Sequence, residues 1–246
     1  MALAALLLKS TAVQAASLAL VLAIDVSASV SADSYLLQRN GIARAFENPR
    51  LVDAISALPG GIEALVIEWS DPDRIAVTVG WKRIVDADSA TRFAAAVRAT
   101  TRSSNGLTAI GPALLAAAAE FDRIPEPAEQ RVIDISGDGI ANFGSPPEVA
   151  RDRVVAAGIS INALAILTDE PWLEGYYRRY VIGGPGSFVI AARDFHSFAD
   201  AIVRKLAREV AVAAAPRTAG RSLPLAGNRG PARGRDARTP AERQMQ

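Results

Sequence analysis

An uninterrupted apolar run at residues 18–24, LALVLAI, leads directly into Asp25 and then two hydroxyl residues in alternation, Ser27 and Ser29. A run of this length and continuity suits a strand buried on both faces, the usual state of a central strand in a parallel α/β sheet. It is far shorter than the ~20 residues a membrane-spanning helix needs. In open α/β sheets, ligands bind beyond the carboxyl ends of the strands, where the strand order reverses. The residues closing this run therefore stand where a site is expected. Carboxylate and hydroxyl oxygens suit a hard cation such as Mg²⁺. Taken alone, the same residues also fit a turn begun by Asp25, with Ser31 or Asp33 capping the following helix.

The rest of the chain alternates helical and strand patterns. Residues 31–46 carry Tyr35, Leu36, Ile42, Ala43 and Phe46 at helical spacing, and a second helical piece runs from Pro49 to Ala57. Residues 63–69 read as a strand, and residues 74–81 as its neighbour after a link of hairpin length, too short for a parallel crossover. Helices are expected at 88–101 and 108–121, a strand at 131–135, and a helix at 147–157 with Pro in its first turn. A buried strand at 159–167, a short aromatic helix at 171–180, a strand at 187–191 and a closing helix at 194–214 complete the pattern. Such alternation specifies an α/β fold, a Rossmann-like doubly wound and mostly parallel sheet with one antiparallel edge strand.

Composition removes whole classes of chemistry. The 246 residues contain no Cys and one His. Disulfides, thiolate sites and His-rich zinc sites are thereby excluded, and any metal must be held by oxygen. A net charge of +1 points to no specific nucleic-acid partner. There is no Walker-type phosphate loop, no GxSxG and no GxGxxG opening a helix after the first strand.

Asp25-Val26-Ser27-Ala28-Ser29 at a strand end resembles the Asp-x-Ser-x-Ser signature of von Willebrand factor A-type (vWA) domains, within their metal-ion-dependent adhesion site (MIDAS). Thr108 in SSNGLTAIG and Asp138 in DISGDGIAN match the pattern's other two pieces, in the expected order. Each piece alone is common; the three together are specific. The resemblance spans about residues 17–210 and is nearest to an uncharacterised bacterial branch. It implies a metal site of Asp25, Ser27, Ser29, Thr108 and Asp138 holding Mg²⁺, with Mn²⁺ or Ca²⁺ as alternatives. It further implies a position left for an Asp or Glu carboxylate from a partner protein, and no catalysis. Gly139 is expected to let the backbone turn sharply beneath the ion. Ser70 reads as a turn residue or a hydrogen-bonding neighbour of the site, and Asn105 and Asn142 as its flanks.

Two alternatives stand beside this reading. A metal-dependent phosphoryl-transfer hydrolase would also place Asp at the end of the first strand, but the Asp-x-Asp pattern it resembles is broken by Ser27. A metal-free structural scaffold would retain the fold without the ion. Asp134, inside its strand, needs a partner for its buried carboxylate, and loop hydroxyls or an Arg are the expected candidates. His196 reads as a packing or capping residue.

Three segments are expected. Residues 1–16 read as a degenerate or truncated export signal, since the apolar patch precedes rather than follows the basic Lys9. This places the protein in the periplasm or outside the cell, or in the cytoplasm if the segment is not a signal. Residues 17–214 form the vWA-like domain. Residues 215–246, Arg-rich with Gly and Pro, cannot bury enough apolar surface to order themselves. No transmembrane segment is expected, and the sequence leaves the oligomeric state open.

Overall fold

The structure, a computed structural model, describes residues 14–215. The readings made for most of the leader and for the Arg-rich tail lie outside the described residues.

Strand β1 (Ala16–Asp25) is buried along its whole length, as its continuous apolar sequence requires. It is followed by α1 (Ala32–Ala45), α2 (Pro49–Ser56), β2 (Ile62–Trp69) and β3 (Ile75–Ile84). Then come α3 (Ala87–Arg98), α4 (Ile110–Glu120), β4 (Ala128–Gly137), α5 (Pro147–Ala156) and β5 (Ser160–Ile166). A single helical turn, α6 (Leu173–Tyr176), runs into a π-turn (Tyr177–Val181) before β6 (Val189–Ala192) and α7 (Phe198–Ala214). Ser31, rather than Asp33, caps α1: its side chain accepts the Ser34 N–H at 3.0 Å.

The strands lie in the order β3-β2-β1-β4-β5-β6. All neighbouring pairs are parallel except β2–β3, so β3 is an antiparallel edge strand. The next strands in the chain leave β1 on opposite sides, which makes the gap between β1 and β4 the point where strand order reverses. One face of the sheet, with Leu18, Leu20, Leu22 and Ile24, packs against α1, α2, α3 and α7. The other, with Ala19, Val21 and Ala23, packs against α4, α5 and the α6 region. The small side chains on this second face match the Ala-rich α4, whose Ile110, Ala113, Leu114 and Ala117 are buried. Among the described residues no helix is long and apolar enough to cross a membrane.

The first of these cores contains a buried ionic cluster. Asp134 projects from β4 toward α7 and pairs with Lys205 at 2.7 Å; both side chains are buried. Neither a loop hydroxyl nor an Arg serves it. Lys205 also meets Glu209 at 3.0 Å, one helical turn on. Asn162 Nδ2 donates to both carboxylate oxygens of Glu209 at 2.8 and 2.9 Å, and Asn162 Oδ1 accepts the Phe188 N–H at 2.8 Å. Two carboxylates face one ammonium. Burial raises the Asp134 pKa, Lys205 opposes the shift and Glu209 adds to it.

Candidate metal centre

Three loops meet beyond the carboxyl ends of β1 and β4, and each is hydrogen-bonded to the other two. The first, residues 26–31, follows β1. The second, residues 99–109, joins α3 to α4, and the third, residues 138–146, follows β4. Ser29 Oγ of the first loop donates to Asp138 Oδ1 of the third at 2.7 Å. The Ala28 N–H donates to the Gly106 carbonyl of the second loop at 2.8 Å. Between the second and third loops the Thr108 N–H donates to Asn142 Oδ1 at 2.8 Å, and the Asn142 N–H returns a bond to the Thr108 carbonyl at 3.0 Å.

Asp25, Ser27, Ser29 and Asp138 form one connected set. Asp25 Oδ1 accepts the Ser27 N–H at 2.7 Å, and the Ser27 and Ser29 hydroxyls lie 3.2 Å apart. Thr108, buried, is tied through its backbone to Asn142 of the third loop and makes no hydrogen bond to these four. Ser70 is buried and its hydroxyl pairs with that of Ser104 at 2.8 Å, while its carbonyl accepts the Ala109 N–H. It therefore helps anchor the second loop. Asn142 takes the structural part just described; Asn105 and His196 are exposed.

Four supporting residues escape a sequence reading. Arg102 of the second loop donates to the carbonyls of Val26 and Ser27, each at 2.9 Å, and through Nε to the Ser104 carbonyl at 2.9 Å. Gln38, buried on α1, donates to the Asp25 carbonyl at 3.2 Å. Glu68, buried near the end of β2, accepts the Tyr35 hydroxyl at 2.8 Å and the Ser103 N–H at 2.7 Å. Tyr177, buried in the π-turn, directs its hydroxyl toward the Gly139 carbonyl at 3.4 Å. The one available signal was a Gln and a Glu placed on otherwise apolar faces.

The glycine that matters sterically is Gly137, not Gly139. A Cβ at Gly137 would lie 2.5 Å from the Tyr177 hydroxyl and 2.8 Å from Asp25 Oδ2. At Gly139 a Cβ meets nothing within 4 Å, and its φ is not positive. The expectation of a glycine-dependent turn at Gly139 is therefore corrected: the constraint comes from close approach at the end of β4.

The electrostatics are those of buried negative charge. Asp25 is fully buried, and its Oδ2 has no hydrogen-bond partner among the described residues. Burial pushes its pKa up to about 7, with Ser27's hydrogen bonding opposing and the Asp138 charge adding. Burial likewise raises Asp138, against the Ser29 bond. The Tyr177 phenol is driven well up by burial and by the charges of Asp25 and Asp138. Among the described residues no three His, Cys, Asp or Glu side chains cluster, so two acids and three hydroxyls are the available donors here. The set fits a hard divalent cation: all donors are oxygen, and an unpartnered buried carboxylate oxygen is what such an ion would satisfy.

The family model described as "Protein of unknown function (DUF1194)" matches residues 15–214. No curated protein sequence matches the chain. Among solved structures, proximal thread matrix protein 1 from the mussel byssus superposes with a TM-score of 0.60 at 13% identity, covering 80% of this chain and 48% of that one. A further structure of that protein, described as having a zinc-occupied MIDAS motif, gives 0.52 at 20% identity over 79% of this chain and 46% of that one. The vWF domain of the pilus tip protein Mfa5 from Porphyromonas gingivalis gives 0.57 at 11% identity, over 83% and 98%. The chain thus spans under half the length of the mussel protein. The shared fold is that of a vWA domain.

Proposed function

We propose that this chain, which belongs to the DUF1194 family, is a non-catalytic, adhesion-type binding module that recognises a partner protein through a divalent cation. Asp25, Ser27, Ser29, Thr108 and Asp138 would hold the ion, Mg²⁺ in the first instance. The ion would supply positive charge to an Asp or Glu carboxylate of the partner. The observation that carries the reading is the Ser29–Asp138 bond within a set of loops tied pairwise. Neutral hydroxyls leave the ion's charge largely unquenched, while the two carboxylates keep it in place. The roles of the chain's own residues follow. Arg102 and Gln38 fix the backbone of the first loop, Asn142 fixes Thr108, and Gly137 keeps the floor low beneath Asp25.

The named context of the fold relatives, a byssus matrix protein and a pilus tip protein, supports an extracellular or periplasmic setting, as does the reading of residues 1–16. Calorimetric titration of Mg²⁺ and Mn²⁺ tests the site. Wild-type chain should bind one ion and an Asp138→Ala variant none; equal heats from both would remove the proposal. Capture of partners in Mg²⁺ or in EDTA tests the partner arm, which predicts a protein retained only with Mg²⁺.

A further inference from the structure

Next to the metal-site loops lies a cavity of about 550 Å³ that the function above does not use. Its walls are the third loop and the α6 region, and include Asn142, Phe143, Glu148, Tyr176 and Tyr180. The volume falls within the roughly 300–1,000 Å³ of sites that enclose small ligands, so one long side chain fits easily. The Tyr176 and Tyr180 rings stand 5.2 Å apart, tilted by 45°. Tyr176 is fixed in place because its hydroxyl accepts the Ala141 N–H at 3.2 Å. Phe143 is 51% exposed.

Glu148 is the one charged side chain in this wall. Among the described residues it makes no hydrogen bond or ion pair, and its charge reaches the Tyr176 phenol, whose pKa burial already raises. Glu148 also sits in the first turn of α5, where a carboxylate suits the helix N-terminus. That placement accounts for the residue type at one position, but not for the aromatic side chains gathered opposite it. Aromatic faces attract ammonium and guanidinium groups through the ring quadrupole, and a nearby carboxylate adds charge complementarity. Tyr180 already meets one such group from outside the lining: the Arg179 guanidinium lies 5.4 Å from its ring centroid.

We propose that this cavity receives a Lys or Arg side chain of the partner protein, seated between Phe143 and Tyr176 and charge-matched by Glu148. The occupant rests on the binding-module reading, whereas the cavity's chemistry is independent of any ion. The third loop carries Asp138 at its start and Phe143 five residues on. A partner that brings a carboxylate to the ion would thus be read by a second, oppositely charged group nearby.

The test uses the full chain in EDTA, with the tyrosine ring signals followed by NMR during titration with acetyl-lysine amide and acetyl-arginine amide. Acetyl-norleucine amide is the uncharged control and tetramethylammonium the small-cation control. The proposal expects saturable shifts of Tyr176 and Tyr180 with at least one cationic amide, weaker by about tenfold for norleucine, as expected where the cation supplies the attraction. Glu148→Gln and Phe143→Ala should each weaken binding about three- to tenfold with an unchanged thermal midpoint, in line with loss of one exposed cation contact. Equal binding of norleucine amide, binding of tetramethylammonium alone, or the absence of any saturable shift would each overturn it. Because no divalent ion is present, failure of the metal site in calorimetry leaves this result unaffected, and the reverse also holds.

Discussion

Ser29 and Asp138, 109 residues apart in the chain, are joined by a 2.7 Å hydrogen bond from the serine hydroxyl to the carboxylate Oδ1. The bond crosses the gap between β1 and β4, the position where the sheet reverses its strand order. It therefore brings the carboxyl ends of two central strands to one point. Around it the first and second loops are joined by Arg102 and Ala28, and the second and third by Thr108 and Asn142.

Close approach at the end of β4 separates two neighbouring glycines. Gly137→Ala should lower stability by about 1–3 kcal/mol, the usual cost of overpacking, and weaken divalent-ion binding, because the new methyl group displaces Tyr177 or Asp25. Gly139→Ala should stay within about 0.5 kcal/mol of wild type. Urea denaturation of both variants provides the comparison, and equal losses would refute the steric argument.

Arg102 joins two loops by three hydrogen bonds to carbonyl oxygens. Arg102→Gln should cost about 1.5–3 kcal/mol, the range for hydrogen bonds from a charged group. Arg102→Lys should recover little of it, since an ammonium cannot reproduce the planar fork. Thermal unfolding of the two variants decides the point.

In the core, removing one member of the ionic cluster leaves the others without compensation. Lys205→Met strands Asp134 and Glu209 and should cost about 3–5 kcal/mol. Adding Asp134→Asn and Glu209→Gln to that variant should restore part of the loss, because the uncompensated charges are then gone. Chemical denaturation at neutral pH measures both.

A pH dependence follows from Asp25. Its carboxyl has an ordinary value of 3.8 and is pushed up to about 7 by burial and the Asp138 charge. Between those values the folded chain keeps a proton that the unfolded chain has released. Without a divalent ion, stability should therefore fall as pH rises from about 4 to 7 and level off above. Asp25→Asn should flatten this slope, and saturating Mg²⁺ should raise stability most at the high-pH end. Melting temperatures in EDTA and in Mg²⁺ across this range test the sign.

What the sequence revealed was local in origin. The run at 18–24 is apolar without a break because both faces of β1 are covered, so its strand was legible from the length and continuity of the run. The hairpin of β2 and β3 was legible from a short link, whereas the candidate site residues were named from the family resemblance. What was not legible depends on residues brought together from distant parts of the chain. Asp134 finds Lys205 because β4 and α7 pack together, and no pattern near position 134 points to position 205. Gly137 and Gly139 read alike until Tyr177 and Asp25 fill the space beside one of them. The expected helix at 171–180 breaks into α6 and a π-turn, which places Tyr177 under the site; spacing predicts a helix there but not its pitch.

The most direct measurement is anomalous diffraction from crystals of this chain soaked in Mn²⁺. The account predicts one strong peak between the three loops, within about 2.0–2.6 Å of the Ser27 and Ser29 hydroxyls, and its disappearance in Asp25→Ala crystals. A peak elsewhere, or none at this position while the loops keep their arrangement, would contradict it.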